Sequence, residues 1–150
     1  MNLKEKISED MKSAMKSGEK LRLETIRSIR ALILEFEKSG TGKVLTPEEE
    51  LKMLTGAVKK RRDSIDQFRM AGRMELVQKE EAELEILMNY MPKQLTDDEV
   101  FEVVKSIGDE LGAKGKEDFP KLMPKAAQQL KGKADGKIVK LAVEKYLGVN

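Results

Sequence analysis

The 150 residues suffice for one domain or two small ones, with a core that hides about 70% of the surface an unfolded chain exposes. With no cysteine and no histidine, the chain excludes disulfides, thiolate and Ser-His-Asp catalysis, and zinc sites built on thiolate or imidazole. A net charge of +2 argues against a uniformly basic nucleic-acid binder, and 4% aromatic residues argue against a base-stacking platform.

The start, Met1-Asn2-Leu3-Lys4-Glu5-Lys6-Ile7, lacks an apolar core of signal-peptide length, and no apolar run reaches transmembrane length. These features predict a soluble cytoplasmic protein with no membrane contact, no metal and no cofactor. Asn2, with Glu5 three residues on, predicts a capped helix start. Leu3, Ile7, Met11, Ala14 and Met15 fall on one face of that helix, which stops at Gly18. The methionines read as core filler in preference to an adaptable binding surface. A second helix runs from about Glu19 to Lys38, striped by Thr25, Ile29, Leu32, Ile33 and Phe36. Leu23 and Leu34 project almost opposite, so this helix is expected to pack between neighbours. Arg27 and Arg30 lie off the stripe and read as solvated or ion-paired charges rather than phosphate contacts. Ser39-Gly40-Thr41-Gly42 is a loop by its turn residues.

Thr46-Pro47-Glu48-Glu49 is the strongest helix-start signal, with an N-cap Thr, Pro at the first helical position and Glu at the third. The helix should reach about Ala71, with Leu51, Leu54, Val58, Ile65 and Phe68 as its stripe and Gly56 inside it. Lys59-Lys60-Arg61-Arg62 interrupts the stripe, and from Lys52 to Arg73 seven basic residues oppose two acids. Arg61 points into the apolar face and reads as a packed stem whose head reaches solvent or a carboxylate. Lys59, Lys60 and Arg62 form a secondary candidate RNA patch, although four consecutive basic residues span all sides of a helix. After a turn at Ala71-Gly72-Arg73, a fourth helix covers roughly Met74 to Tyr90, with Val77, Leu84, Leu87, Met88 and Met91 inward. Glu75, Glu80, Glu81, Glu83 and Glu85 make it acidic. Without histidine they cannot form a ferritin-type site, so they are expected to pair with the basic helix in an antiparallel hairpin.

The chain turns on Met91-Pro92-Lys93-Gln94-Leu95-Thr96. Pro92 should end one helix, and Thr96-Asp97-Asp98-Glu99 is a capping box that starts the next. Val100, Val103, Val104, Ile107 and Leu111 stripe that helix, which ends at Gly112. From Leu95 to Asp118 eight acids oppose three lysines; from Phe119 to Leu147 seven lysines oppose two acids. A helix over Phe119 to Leu130 would place Phe119, Leu122, Met123, Ala126 and Leu130 inward, and Lys121, Lys125 and Gln128 in one outer row. Pro124 should kink or split it. Lys131-Gly132-Lys133-Ala134-Asp135-Gly136-Lys137 reads as a flexible basic loop, with Asp135 able to cap a last helix. In that helix Val139, Ala142, Val143 and Tyr146 face in, while Lys137 and Lys140 face out. The two helices and loop could present one lysine surface of point charges for phosphates; ordinary solubilising lysine explains the pattern equally well.

Two stretches resemble the YqeY family. One runs from Ala71-Gly72-Arg73-Met74-Glu75-Leu76 through Glu83-Leu84-Glu85-Ile86-Leu87 to Tyr90-Met91-Pro92-Lys93-Gln94-Leu95-Thr96. The other is Lys131-Gly132-Lys133-Ala134-Asp135-Gly136 with Val139 and Leu147. The resemblance spans essentially the whole chain. It implies an all-α fold, with an N-terminal region of about four helices over 1–92 and a small three-helix module over 93–150. That module is similar to the tail of the B subunit of the tRNA-dependent amidotransferase, which grips tRNA while the chemistry occurs on other domains. The resemblance therefore implies a non-enzymatic adaptor whose partner is tRNA. A carbon–nitrogen ligase label would describe the larger relatives. The implied RNA-binding residues are Lys131, Lys133 and Lys137, inside the matching motif, then Lys140, Lys121 and Lys125. Gln128 and Gln129 stand where the family has a Met-Pro-Lys run, so Lys121 and Lys125 transfer less directly. The alternatives are a helical protein-interaction module and an accessory that joins amidotransferase subunits in trans.

Overall fold

The computed structural model describes residues 1–40, 42 and 44–149; Thr41, within the loop expected over Ser39 to Gly42, lies outside them. Among the described residues the chain forms seven α-helices, one 3-10 turn and no strand, so the fold is all-α. It divides into two compact units, Met1–Met91 and Pro92–Asn150.

The first unit holds α1 (Leu3–Ser17), α2 (Lys20–Lys38), α3 (Pro47–Met70) and α4 (Met74–Met88). Local chemistry sets their starts. Asn2 accepts from the Glu5 backbone N–H while Glu5 reaches back to the Asn2 N–H, and Thr46 accepts from the Glu49 N–H. These contacts satisfy donors that a helix start otherwise leaves open. Helix α1 packs on α2, α2 on α4, and α3 on α4. Their shared core joins Leu3, Ile7 and Ala14 of α1 to Ile26, Ile29 and Ile33 of α2, with Leu54 and Val58 of α3 and Leu87 of α4. Each large aliphatic side chain buried there contributes roughly 2 kcal/mol.

The basic and acidic helices form the expected antiparallel hairpin. Arg69 pairs with Glu81 at 2.8 Å. Arg61 lies deeper: one guanidinium nitrogen donates to Glu83 and, at 3.5 Å, to Glu80, while the other donates to Ser28 of α2 at 3.1 Å. Glu83 is 8% exposed and sits directly against this partner. The packed stem with a carboxylate-bound head is the arrangement expected for Arg61. Tyr90, just past α4, donates to Asp10 of α1 at 2.5 Å and lies under the Lys6 ammonium.

Several expectations are corrected. Met15 is 58% exposed: α1 buries Leu3, Ile7 and Ala14 against its main neighbour α2 and leaves Met15 outside that contact. Leu34 of α2 is also exposed, whereas Ile26, off the expected stripe, is fully buried. Helix α4 stops at Met88, ahead of the reach of Pro92.

The second unit holds α5 (Asp97–Leu111), a 3-10 turn (Lys116–Asp118), α6 (Phe119–Gln129) and α7 (Gly136–Leu147), all three helices packed pairwise. Thr96 and Glu99 form the expected capping box, and Gly112 closes α5 in the left-handed region. Val100, Val104, Leu122, Ala126, Leu130, Val139 and Val143 make the core. The Tyr146 ring lies flat against Gly108, where a Cβ would collide with it, and the hydroxyl donates to Asp109 at 2.7 Å. Leu111 is exposed rather than part of the stripe. Pro124 does not split α6, which runs as one helix from Phe119 to Gln129. Its missing N–H leaves only the Pro120 carbonyl one turn back, and both prolines lie at the surface where water can reach that oxygen.

Two outcomes follow for the first unit. Arg61→Ala should cost roughly 2–3 kcal/mol in urea unfolding, because Glu83 is left buried without its cation. Burial, then the bond to Asp10, pushes the Tyr90 phenol well above its ordinary value of 10.0. That stabilisation is complete below the ordinary value and is lost as pH rises toward the folded-state value. Tyr90→Phe should therefore unfold with a flatter pH dependence than the parent between about pH 9 and about pH 11.

Candidate nucleic-acid interface

Lysine side chains carry the candidate site, and the backbone of the second unit decides which of them meet. The segment after α6 is a tight hydrogen-bonded turn rather than the flexible loop expected. The Lys133 N–H donates to the Leu130 carbonyl at 2.9 Å, and the Ala134 N–H to the same oxygen at 3.2 Å. Gly132 sits buried at φ 79, a left-handed conformation that other residues adopt only at a cost. The turn is also fastened from outside. The Gln94 side-chain amide donates to the Gly132 carbonyl at 2.8 Å, and the Leu95 N–H to the Lys133 carbonyl at 2.9 Å.

These bonds join the backbone next to Lys93 to the turn that carries Lys131 and Lys133, and all three lysines are exposed. Lys93 was missed by sequence reasoning. Its own position gives no signal; the signal is Gln94, an amide able to reach a carbonyl 38 residues away. Asp135 then caps α7 by accepting from the Lys137 backbone N–H at 3.2 Å. Lys137 and Lys140 are exposed on the first turns of α7, as expected. Leu141, next to them, is 66% exposed.

The α6 lysines are placed differently. Lys125 lines a shallow groove with Ile107, Glu110, Leu111, Gln128 and Gln129, on the flank of α6 that faces α5. Lys121 lies close enough to Asp118 to help hold that carboxyl below its ordinary value, after the larger effect of the Lys114 backbone N–H. Both α6 lysines therefore have carboxylates nearby, and so does Lys93, which adds to the Thr96 backbone and side-chain bonds that hold Glu99 below its ordinary value. Lys145 spans the Phe101 ring at 4.8 Å. On α5, Asp109 is held below its ordinary value by the Tyr146 hydroxyl first and Lys105 second.

Of the secondary patch on α3, Lys59 pairs with Asp63 at 3.1 Å, Lys60 lines one groove together with Lys59 and another between α2 and α3, and Arg62 is half-buried. Among the described residues no cluster of three or more carboxylates could hold a metal ion, and no helix is long and apolar enough to cross a membrane.

A family described as Yqey-like protein matches residues 4–147. A protein of Pyrenophora tritici-repentis named altered inheritance of mitochondria protein 41, mitochondrial, is 33% identical over 147 residues, 95% of this chain and 80% of that protein. A protein of the same name from Lachancea thermotolerans is 34% identical over 85 residues, 57% of this chain and 46% of its own length. An uncharacterised protein of Schizosaccharomyces pombe is 32% identical over 92 residues, 61% of this chain and 74% of its own. The expectation of a cytoplasmic protein is corrected here, since relatives similar to this chain are named as mitochondrial. Missing cysteine and missing apolar runs carry no information that separates the two settings.

Gly132→Ala should destabilise the second unit by about 1–2 kcal/mol and speed amide hydrogen exchange at Lys133 and Leu95 ahead of the helices.

Proposed function

The chain belongs to the YqeY-like family, and we propose that its C-terminal unit is a non-catalytic clamp for RNA phosphates, with tRNA as the RNA. The observation that carries this reading is the pinned turn. It joins the backbone segments that carry Lys93, Lys131 and Lys133 through bonds from Gln94 and Leu95, and Lys137 follows at the start of α7. A fixed backbone lets the cluster meet phosphates without first losing loop entropy.

Lysine ammonium groups act as strongly hydrated point charges, so the clamp follows backbone shape and reads no base. Affinity would come from released counterions. About four phosphate contacts give a slope of log affinity against log salt of roughly −3 to −4. The relatives named for mitochondria make organellar tRNA the second RNA to examine after bulk tRNA.

Leu141 favours one other reading. A large apolar side chain exposed beside Lys137 and Lys140 suits a protein partner, with amidotransferase subunits among the candidates. A protein complex held through Leu141 would be far less sensitive to salt than one held by phosphate contacts.

Titration of the purified chain with bulk tRNA from low to physiological salt, against double-stranded DNA, separates the two. Micromolar binding that favours tRNA, with the slope above, is expected. Lys131→Glu with Lys133→Glu should weaken it and reduce the slope by about 2, with helix content retained. Unchanged tRNA binding in that double variant would remove the cluster from the site, and no binding at low salt would leave the protein-partner reading.

A further inference from the structure

The first unit contains an open apolar groove of about 740 Å3 between α2 and α3. Ala31, Leu32 and Phe36 form one wall; Met53, Gly56 and Ala57 form the other. Ala31 and Gly56 are exposed, and the other four are half-buried. At 1.5 Å per residue the lining runs about 22 Å along α3, from Glu49 to Ser64, and about 12 Å along α2, from Ser28 to Phe36. A trough of that length suits a rod rather than a compact ligand. Its polar end is already satisfied: the Arg61 guanidinium there is bound by Glu83, Glu80 and Ser28, so it offers no charge to an anionic head group.

Two further observations describe the rod. The first is Gly56. It sits inside a 24-residue helix, at an ordinary backbone conformation, and a Cβ there would meet nothing within 4 Å. Glycine lowers local helix population roughly fivefold against alanine. Nothing in this chain's own packing requires it, whereas a second helix crossing at that point would. The second is charge. Lys52 and Lys60 flank Gly56 at one turn either side, line the groove, and make no ion pair among the described residues. They are eight positions apart, so their anchor points are about 12 Å apart along the wall.

We infer that this groove takes an amphipathic helix of a partner protein. Its apolar stripe lies over Ala31, Leu32, Phe36 and Met53, its backbone comes closest at Gly56, and its α3-facing flank carries two carboxylates about two turns apart that meet Lys52 and Lys60.

The test uses the full chain, isotope-labelled, and two synthetic 18-residue helices that share an alanine–leucine stripe. One carries Glu and the other Lys at flank positions eight apart. Binding of the Glu helix is expected, with amide shifts confined to residues 28–36 and 49–64. Lys52→Glu with Lys60→Glu should weaken the Glu helix at least about tenfold and admit the Lys helix. Gly56→Leu should abolish binding with the fold retained, and Gly56→Ala should raise the melting temperature by about 3 °C. The tRNA titration should not change in Lys52→Glu, so the two readings fail separately. Equal binding of both helices, shifts elsewhere, or a melting temperature lowered by Gly56→Ala would overturn the inference. Concentration-dependent dimerisation with shifts in the groove and no peptide present would also overturn it, making a second copy the occupant.

Discussion

The Arg61 guanidinium is the constraint on which the first unit depends. A buried charge costs several kcal/mol unless oxygen atoms surround it. Here those atoms come from two other helices, Ser28 on α2 and Glu80 and Glu83 on α4. Their arrival at one cation fixes the register of three helices at once, which leucine and isoleucine contacts alone would do less sharply. It also explains where the groove lies. At the Ser28 end α2 is tied to α3 by this bond; toward Phe36 and Met53 the two helices leave the trough open.

What was legible in the sequence was local. Asn2, Thr46, Thr96 and Asp135 are caps whose partners sit two or three residues away, and all four appear as such. The hairpin was legible because opposite charge on consecutive helices needs no distant information. Burial was less so. Met15, Leu34 and Leu111 have the right spacing for a core, but spacing says which face a residue occupies and not whether another helix covers it. Pro124 misled because the rule against proline concerns the lost bond, and at a wet surface that loss is small.

The candidate site was legible as composition but not as arrangement. Lys131 and Lys133 stand out in sequence, yet what gathers them with Lys93 is a pair of hydrogen bonds spanning most of the second unit. Lys121 and Lys125 fall in the same basic stretch and end up near Asp118 and Glu110. The compartment was not legible at all. The two units thus present surfaces of different kinds: one charged and held by backbone bonds, the other apolar and bordered by two lysines.

The bonds from Gln94 and Leu95 to Gly132 and Lys133 also set the boundary at which this tail can be transplanted. Thr96 and its capping box look like the natural first residues of a three-helix cassette. A cassette cut there would carry the basic turn but lose its external fastening, leaving the carbonyls of Gly132 and Lys133 to water. The smallest portable piece begins at Pro92, so that a larger protein borrowing this tail must borrow the short approach to it as well.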